Sequence, residues 1–101
     1  MKRTEFVDFL REESEKLVGL CSRKGDEYAV DGTAFYNFVE GYHISTVHSP
    51  EEYAWNLMTK HLQSLKDIIK GHENNQDLIR EKAGDIILYT YLIWAMLKER
   101  Q

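Results

Sequence analysis

Apolar side chains recur along this chain at steps of three and four residues, the spacing that places them on one face of an α-helix. Four blocks show it. In the first, from Thr4 as N-cap to about Arg23, Phe6, Leu10, Leu17 and Leu20 form a stripe with Phe9 and Cys21 at its edges. Ser22 to Glu27, with basic residues and Gly25, predicts the end of that helix. Tyr28 to Thr33 reads as a loop with an Asp31-Gly32 turn, after which Thr33 caps a short aromatic helix over Ala34 to Tyr42. A polar connection, His43 to His48, follows.

The third block opens on Ser49-Pro50-Glu51-Glu52, a hydroxyl cap, a proline at the first helical position and acids in the first turn. Its core stripe is Ala54, Met58, Leu62, Leu65 and Ile69, flanked by Leu57, His61 and Ile68, and Gly71 is placed to stop it. The connection His72 to Asn75 is short, so the fourth helix, Gln76 to Glu99, returns beside the third as an antiparallel hairpin. From Ile86 to Leu97 apolar or aromatic side chains point in every direction, the pattern of a helix buried on all sides. One layer of neighbours in a small chain leaves such a helix partly uncovered, which predicts a homodimer or higher homo-oligomer. The expected fold is all-α: a small helical bundle with a central antiparallel hairpin of two long helices, in a single domain over residues 1–101.

Composition narrows the function classes. With 43% apolar and 30% charged residues the chain reads as one soluble domain with a real core. A net charge of −4 gives no basic field, so neither a nucleic acid nor an acidic membrane is an expected partner. Cys21, the only cysteine, excludes an intrachain disulfide and a cysteine-based zinc site; it reads as a small core residue and suits a reducing cytoplasm. The N-terminus lacks the apolar stretch of a signal peptide, and the run from Ile86 to Leu97 is too short to span a bilayer, which makes the cytoplasm the expected compartment.

The hairpin turn near residue 73 sets Lys60 to Asp67 beside Glu81 to Asp85. Asp67, Glu81 and Asp85 would then converge, and three carboxylates together call for a hard cation such as Mg²⁺ or for basic side chains. Lys60, Ser64 and Asp67 share one narrow sector of helix 3, where Lys60 would pair with Asp85 or meet a phosphate. An interhelical salt-bridge network accounts for the same spacing equally well. Glu13 falls within the apolar stripe of helix 1 and needs a basic neighbour or a polar pocket; a metal-ligand role is its less favoured reading. The four histidines lack zinc-site spacing. Tyr28, Phe35, Tyr36, Phe38 and Tyr42 could stack on a base, although core packing explains most of them.

The succession Glu27-Tyr28-Ala29, Asp31, Phe35, Asn37-Phe38, Ser49-Pro50-Glu51, Lys60-His61, Ser64, Asp67, Arg80-Glu81-Lys82-Ala83-Gly84-Asp85 and Tyr89 resembles a family of small phage and prophage proteins. That family is distantly similar to the MazG-like, all-α nucleoside triphosphate pyrophosphohydrolases, and the resemblance covers roughly residues 20 to 100. Those enzymes hold Mg²⁺ on the substrate's phosphates with Glu-Glu-x-x-Glu on one helix and Glu-x-x-Asp on the next. Here Asp85 matches the second motif's Asp and Glu81 the acid that often precedes it, while Lys82 stands at its Glu. Lys60, His61 and Ser64 occupy the places of the three glutamates, which removes most of a metal's ligands and negative charge.

The resemblance therefore implies a phage-derived, nucleotide-related protein of MazG-like fold with a degenerate metal site. Lys60, His61 and Ser64 would contact a phosphate. Tyr28 or Phe38, with Asn37 between them in sequence, would meet the base. Asp67, Glu81 and Asp85 would order the site or hold a residual Mg²⁺. Two alternatives stand beside it: an active Mg²⁺-dependent nucleoside triphosphate pyrophosphohydrolase, with Glu13 brought across to supply a missing acid, and a phage interaction protein acting on a host defence factor without a small ligand.

Overall fold

Four helices and no strand are found among the described residues: α1 (Arg3–Tyr28), α2 (Tyr36–Ile44), α3 (Pro50–Lys70) and α4 (Gln76–Glu99). The structure is a computed structural model. It describes the backbone of residues 1–28 and 35–100 and the side chains of residues 1–22 and 35–100. The chain is all-α, as its periodicity predicts. It forms two compact units, Met1–Ala34 and Phe35–Gln101. No described helix is long and apolar enough to cross a membrane.

The described residues of the first unit form α1. This helix runs on to Tyr28, past the end expected at Ser22 to Glu27. A single glycine costs a helix about 1 kcal/mol relative to alanine and does not break it without a proline. The last turn carries no basic residue, so the signal read at Arg23 and Lys24 belongs to the helix interior. Leu17 and Leu20 are half-buried, but Phe6, Leu10 and Cys21 are exposed. Cys21 is not a core residue, because one step beyond Leu20 turns its side chain about 100° away from that stripe. Phe6 and Phe9 stack with ring centroids 6.5 Å apart. The expected Asp31-Gly32 turn and the Thr33 cap lie outside the described residues.

In the second unit, α2 begins two residues later than Ala34, with Phe35 at its N-cap and no side-chain cap. It presses Phe38 and Gly41 inward. A Cβ added at Gly41 would overlap the Tyr53 ring of α3, so glycine here is what lets the two helices approach. Helix α3 starts as its capping signal predicts. Ser49 Oγ accepts from Glu52 N at 3.1 Å, and the Glu52 carboxylate reaches back to accept from His48 N at 3.0 Å, one residue earlier than in the usual reciprocal box.

The end of α3 departs from expectation in its details. Gly71 keeps a right-handed conformation, and the left-handed residue is His72, with φ 55°. His72 N donates to Ile69 O at 3.3 Å and Glu73 N to Ile68 O at 3.1 Å, the bonds of a Schellman motif with histidine where glycine is the usual choice. Asn75 then caps α4, its Oδ1 accepting from Asp77 N and Leu78 N. Helices α3 and α4 pack as the expected antiparallel hairpin. Residues 61 and 85, 58 and 90, and 51 and 100 meet across it, positions that run in opposite directions from the turn.

The core of this unit is Phe38, Ala54 and Met96, with Tyr53, Leu57, Tyr89, Leu92 and Ile93 packed around it. On α3 the inward stripe follows Ala54, Met58, His61, Leu65 and Ile68, which leaves Leu62 and Ile69 exposed rather than in the core. On α4 only Met96 is buried, and Ile87, Tyr91, Trp94 and Leu97 are exposed. The segment from Ile86 to Leu97 is thus covered on one side only, because the hairpin partner reaches one face of the helix.

Candidate functional site

Of the polar residues singled out in the sequence, His61 and Asp85 meet across the hairpin. The inward stripe of α3 carries His61 toward α4, and the register of the turn sets it opposite Asp85. His61 Nδ1 lies 3.4 Å from Asp85 Oδ2, with both side chains about three-quarters covered. A contact so shielded is screened less than a surface ion pair, and its strength depends on whether the imidazole is protonated.

Tyr89, one turn beyond Asp85, forms the floor. Its ring centroid is 5.4 Å from that of His61 and 5.8 Å from that of Phe38, which meets it edge-on. Burial, the Asp85 charge and then Tyr53 hold the Tyr89 phenol above its ordinary pKa of 10.0. The arrangement is therefore a half-buried imidazole–carboxylate pair resting on an aromatic stack that connects it to the core. Tyr89 was the functional candidate that residue chemistry alone did not mark, although its i+4 relation to Asp85 placed it on the same face.

The other candidates surround this pair unevenly. Lys60 is exposed on the adjoining sector and does not take Asp85, which meets His61 instead. A rotation of about 100° per residue separates Lys60 from His61, and packing turned the latter inward. Ser64 Oγ donates to Lys60 O at 3.1 Å, so the hydroxyl lies one turn along the same edge, held against the backbone. Asp67 is exposed and accepts from Gln63 Nε2 at 3.0 Å. Glu81 is exposed, with Lys82 Nζ 3.9 Å away.

The expected convergence of Asp67, Glu81 and Asp85 is not seen: among the described residues no group of three or more His, Cys, Asp or Glu could hold a metal ion. Each of the three acids has a neighbour of its own instead. Glu13 meets Lys16 Nζ at 3.4 Å, one turn along α1, which is the basic neighbour its place in the apolar stripe required. Phe38 is in the core, 7% exposed, and Asn37 is exposed beside it. Burial assigns Phe38 to packing rather than to a base-stacking face. The Tyr28 side chain lies outside the described residues.

A second cross-hairpin contact lies at the far end. Arg100 Nη2 is 2.7 Å from Glu51 Oε2, the carboxylate being largely covered. It ties the first residue after α4 to the first turn of α3. Comparisons of the chain with protein-family models, with curated proteins and with solved structures give no match.

Proposed function

We propose that the protein is a phage-derived, nucleotide-related binding protein of MazG-like fold that recognises the phosphates of its ligand without hydrolysing them. One observation carries this reading. The acid that the enzymes would use for Mg²⁺, Asp85, faces His61 across the hairpin at 3.4 Å. A carboxylate engaged by an imidazole is a poorer ligand for a hard cation, and an imidazole N–H is a donor suited to phosphate. Lys60 on the exposed sector and Ser64 one turn on extend the edge with a cation and a hydroxyl. Phosphate binding needs those donors and no catalytic metal, whereas pyrophosphohydrolysis needs a metal-activated water.

Incubation with a panel of nucleoside triphosphates and cyclic nucleotides, with and without Mg²⁺, tests it. The expected result is thermal stabilisation by at least one nucleotide, lost in Lys60→Ala, with no release of pyrophosphate. Turnover that Asp85→Asn and Glu13→Gln both abolish would support the hydrolase instead. The absence of both stabilisation and turnover would leave an interaction protein, a reading favoured by Trp55, Leu62 and Ile69, which stand exposed at seven-residue steps along α3.

A further inference from the structure

The His61 imidazole is held on two sides. Its Nδ1 lies 3.4 Å from Asp85 Oδ2, and its ring rests against that of Tyr89, centroids 5.4 Å apart and planes inclined by 34°. Tyr89 in turn meets Phe38 edge-on and packs on the cluster of Phe38, Ala54 and Met96. A carboxylate at one nitrogen and an aromatic ring beside the imidazole restrict both of its torsions, so the core sets the orientation of His61 through Tyr89. The second ring nitrogen is placed differently. Among the described residues Nε2 has no hydrogen-bond partner, yet no buried side-chain nitrogen or oxygen among them lacks one. Nε2 therefore reaches solvent.

We infer that His61 Nε2 is the atom that meets the ligand's phosphate and that Tyr89 is the positioning residue that aims it, an assignment that rests on the phosphate-binding reading of this site. Asp85 occupies Nδ1, which leaves one nitrogen for a ligand. An imidazole with a hydrogen on each nitrogen then joins carboxylate to phosphate, Nδ1–H donating to Asp85 and Nε2–H to a phosphate oxygen. Lys60 stands exposed on the adjoining sector of α3 as a second cation. Tyr89 touches no ligand in this arrangement. Without its ring the imidazole keeps both nitrogens but loses the neighbour that orders it, and a donor that must be ordered on binding holds its ligand more weakly.

Nitrogen-15 NMR of the His61 ring in the full chain tests both parts, with far-UV circular dichroism to monitor folding and with inorganic tripolyphosphate and adenosine triphosphate, each without Mg²⁺, as probes. In the free chain at alkaline pH the neutral ring should be one tautomer, its hydrogen on Nδ1. Each probe should displace the Nε2 resonance, with both nitrogens protonated in the complex. Tyr89→Phe, which keeps the ring, should match wild type in tautomer and affinity. Tyr89→Leu should mix the tautomers and weaken binding about tenfold; Tyr89→Met takes its place if that variant does not fold. A folded variant without the ring that keeps one tautomer and the wild-type affinity overturns the positioning role and leaves phosphate binding intact. Probes that bind without moving Nε2 overturn the Nε2 contact. If neither probe binds, the phosphate reading fails with that contact, and the tautomer of the free ring still decides the role of Tyr89.

Discussion

Tyr89 stands where the polar and apolar parts of the hairpin meet, and its protonation reports on both. The folded chain holds the phenolic proton more tightly than the unfolded chain does, first through burial and then through the Asp85 charge. Tyr89 therefore contributes stability that is complete below a pH of about 10 and fades as the pH rises through its folded pKa. Denaturant melts between pH values of about 8 and 11 should show a steeper alkaline loss for wild type than for Tyr89→Phe. Equal slopes would mean that the phenol titrates as in the unfolded chain. Asp85→Asn should bring the tyrosinate absorbance of Tyr89 to lower pH, because it removes the charge and leaves the burial.

The same residues show what periodicity can and cannot resolve. That residues near Lys60 meet residues near Asp85 follows from a turn at residue 73. Which side chain meets the carboxylate does not, because Lys60 and His61 differ by a rotation that only packing selects. The inward stripe runs through Met58, His61 and Leu65, and His61 takes the carboxylate for that reason. Asp67 was misplaced by the same uncertainty. It lies about 100° around α3 from the inward Ile68 and meets Gln63 on its own helix.

At the scale of elements, the ends of α3 differ in how openly the sequence announces them. Ser49-Pro50-Glu51-Glu52 marks the start because the cap, the proline and the acids act within one turn, with no tertiary partner needed. The end carries a misleading signal. Gly71 has the composition of a left-handed cap, but His72 adopts the left-handed conformation and completes the Schellman bonds. A non-glycine residue there costs about 1 kcal/mol, so His72→Gly should stabilise the fold by about 0.5–1 kcal/mol, less the added freedom of the unfolded chain. A thermal melt reads this directly; a loss of stability would mean that the imidazole makes a compensating contact.

Gly41 is the converse case, a glycine inside α2 whose need is visible only in the structure. Replacing it with alanine improves helix propensity yet pushes a methyl group into Tyr53. Overpacking of this kind costs about 1–3 kcal/mol, more than the gain in propensity. Gly41→Ala should therefore lower the unfolding midpoint, and a rise would show that the Tyr53 ring moves aside freely.

Over the whole molecule, the hairpin combines a modest core with exposed apolar faces on both long helices. The all-α class, the hairpin and the limits of α4 were legible because caps and turns act locally. The one-sided burial of α4 was not, because a helix with apolar side chains all round does not reveal which of its faces the hairpin partner covers. The site follows the same division. Its position in the fold came from topology, while the His61–Asp85 pairing, on which the proposal of a phosphate binder rather than a metal-dependent hydrolase rests, came from geometry.

That distinction is best tested by calorimetric titration of a nucleoside triphosphate into the wild-type chain and into Lys60→Ala, with pyrophosphate assayed in the same cell. Saturable binding that Lys60→Ala weakens, with no pyrophosphate formed whether or not Mg²⁺ is present, is the predicted result. Mg²⁺-dependent release of pyrophosphate, or no binding heat in either chain, would contradict it.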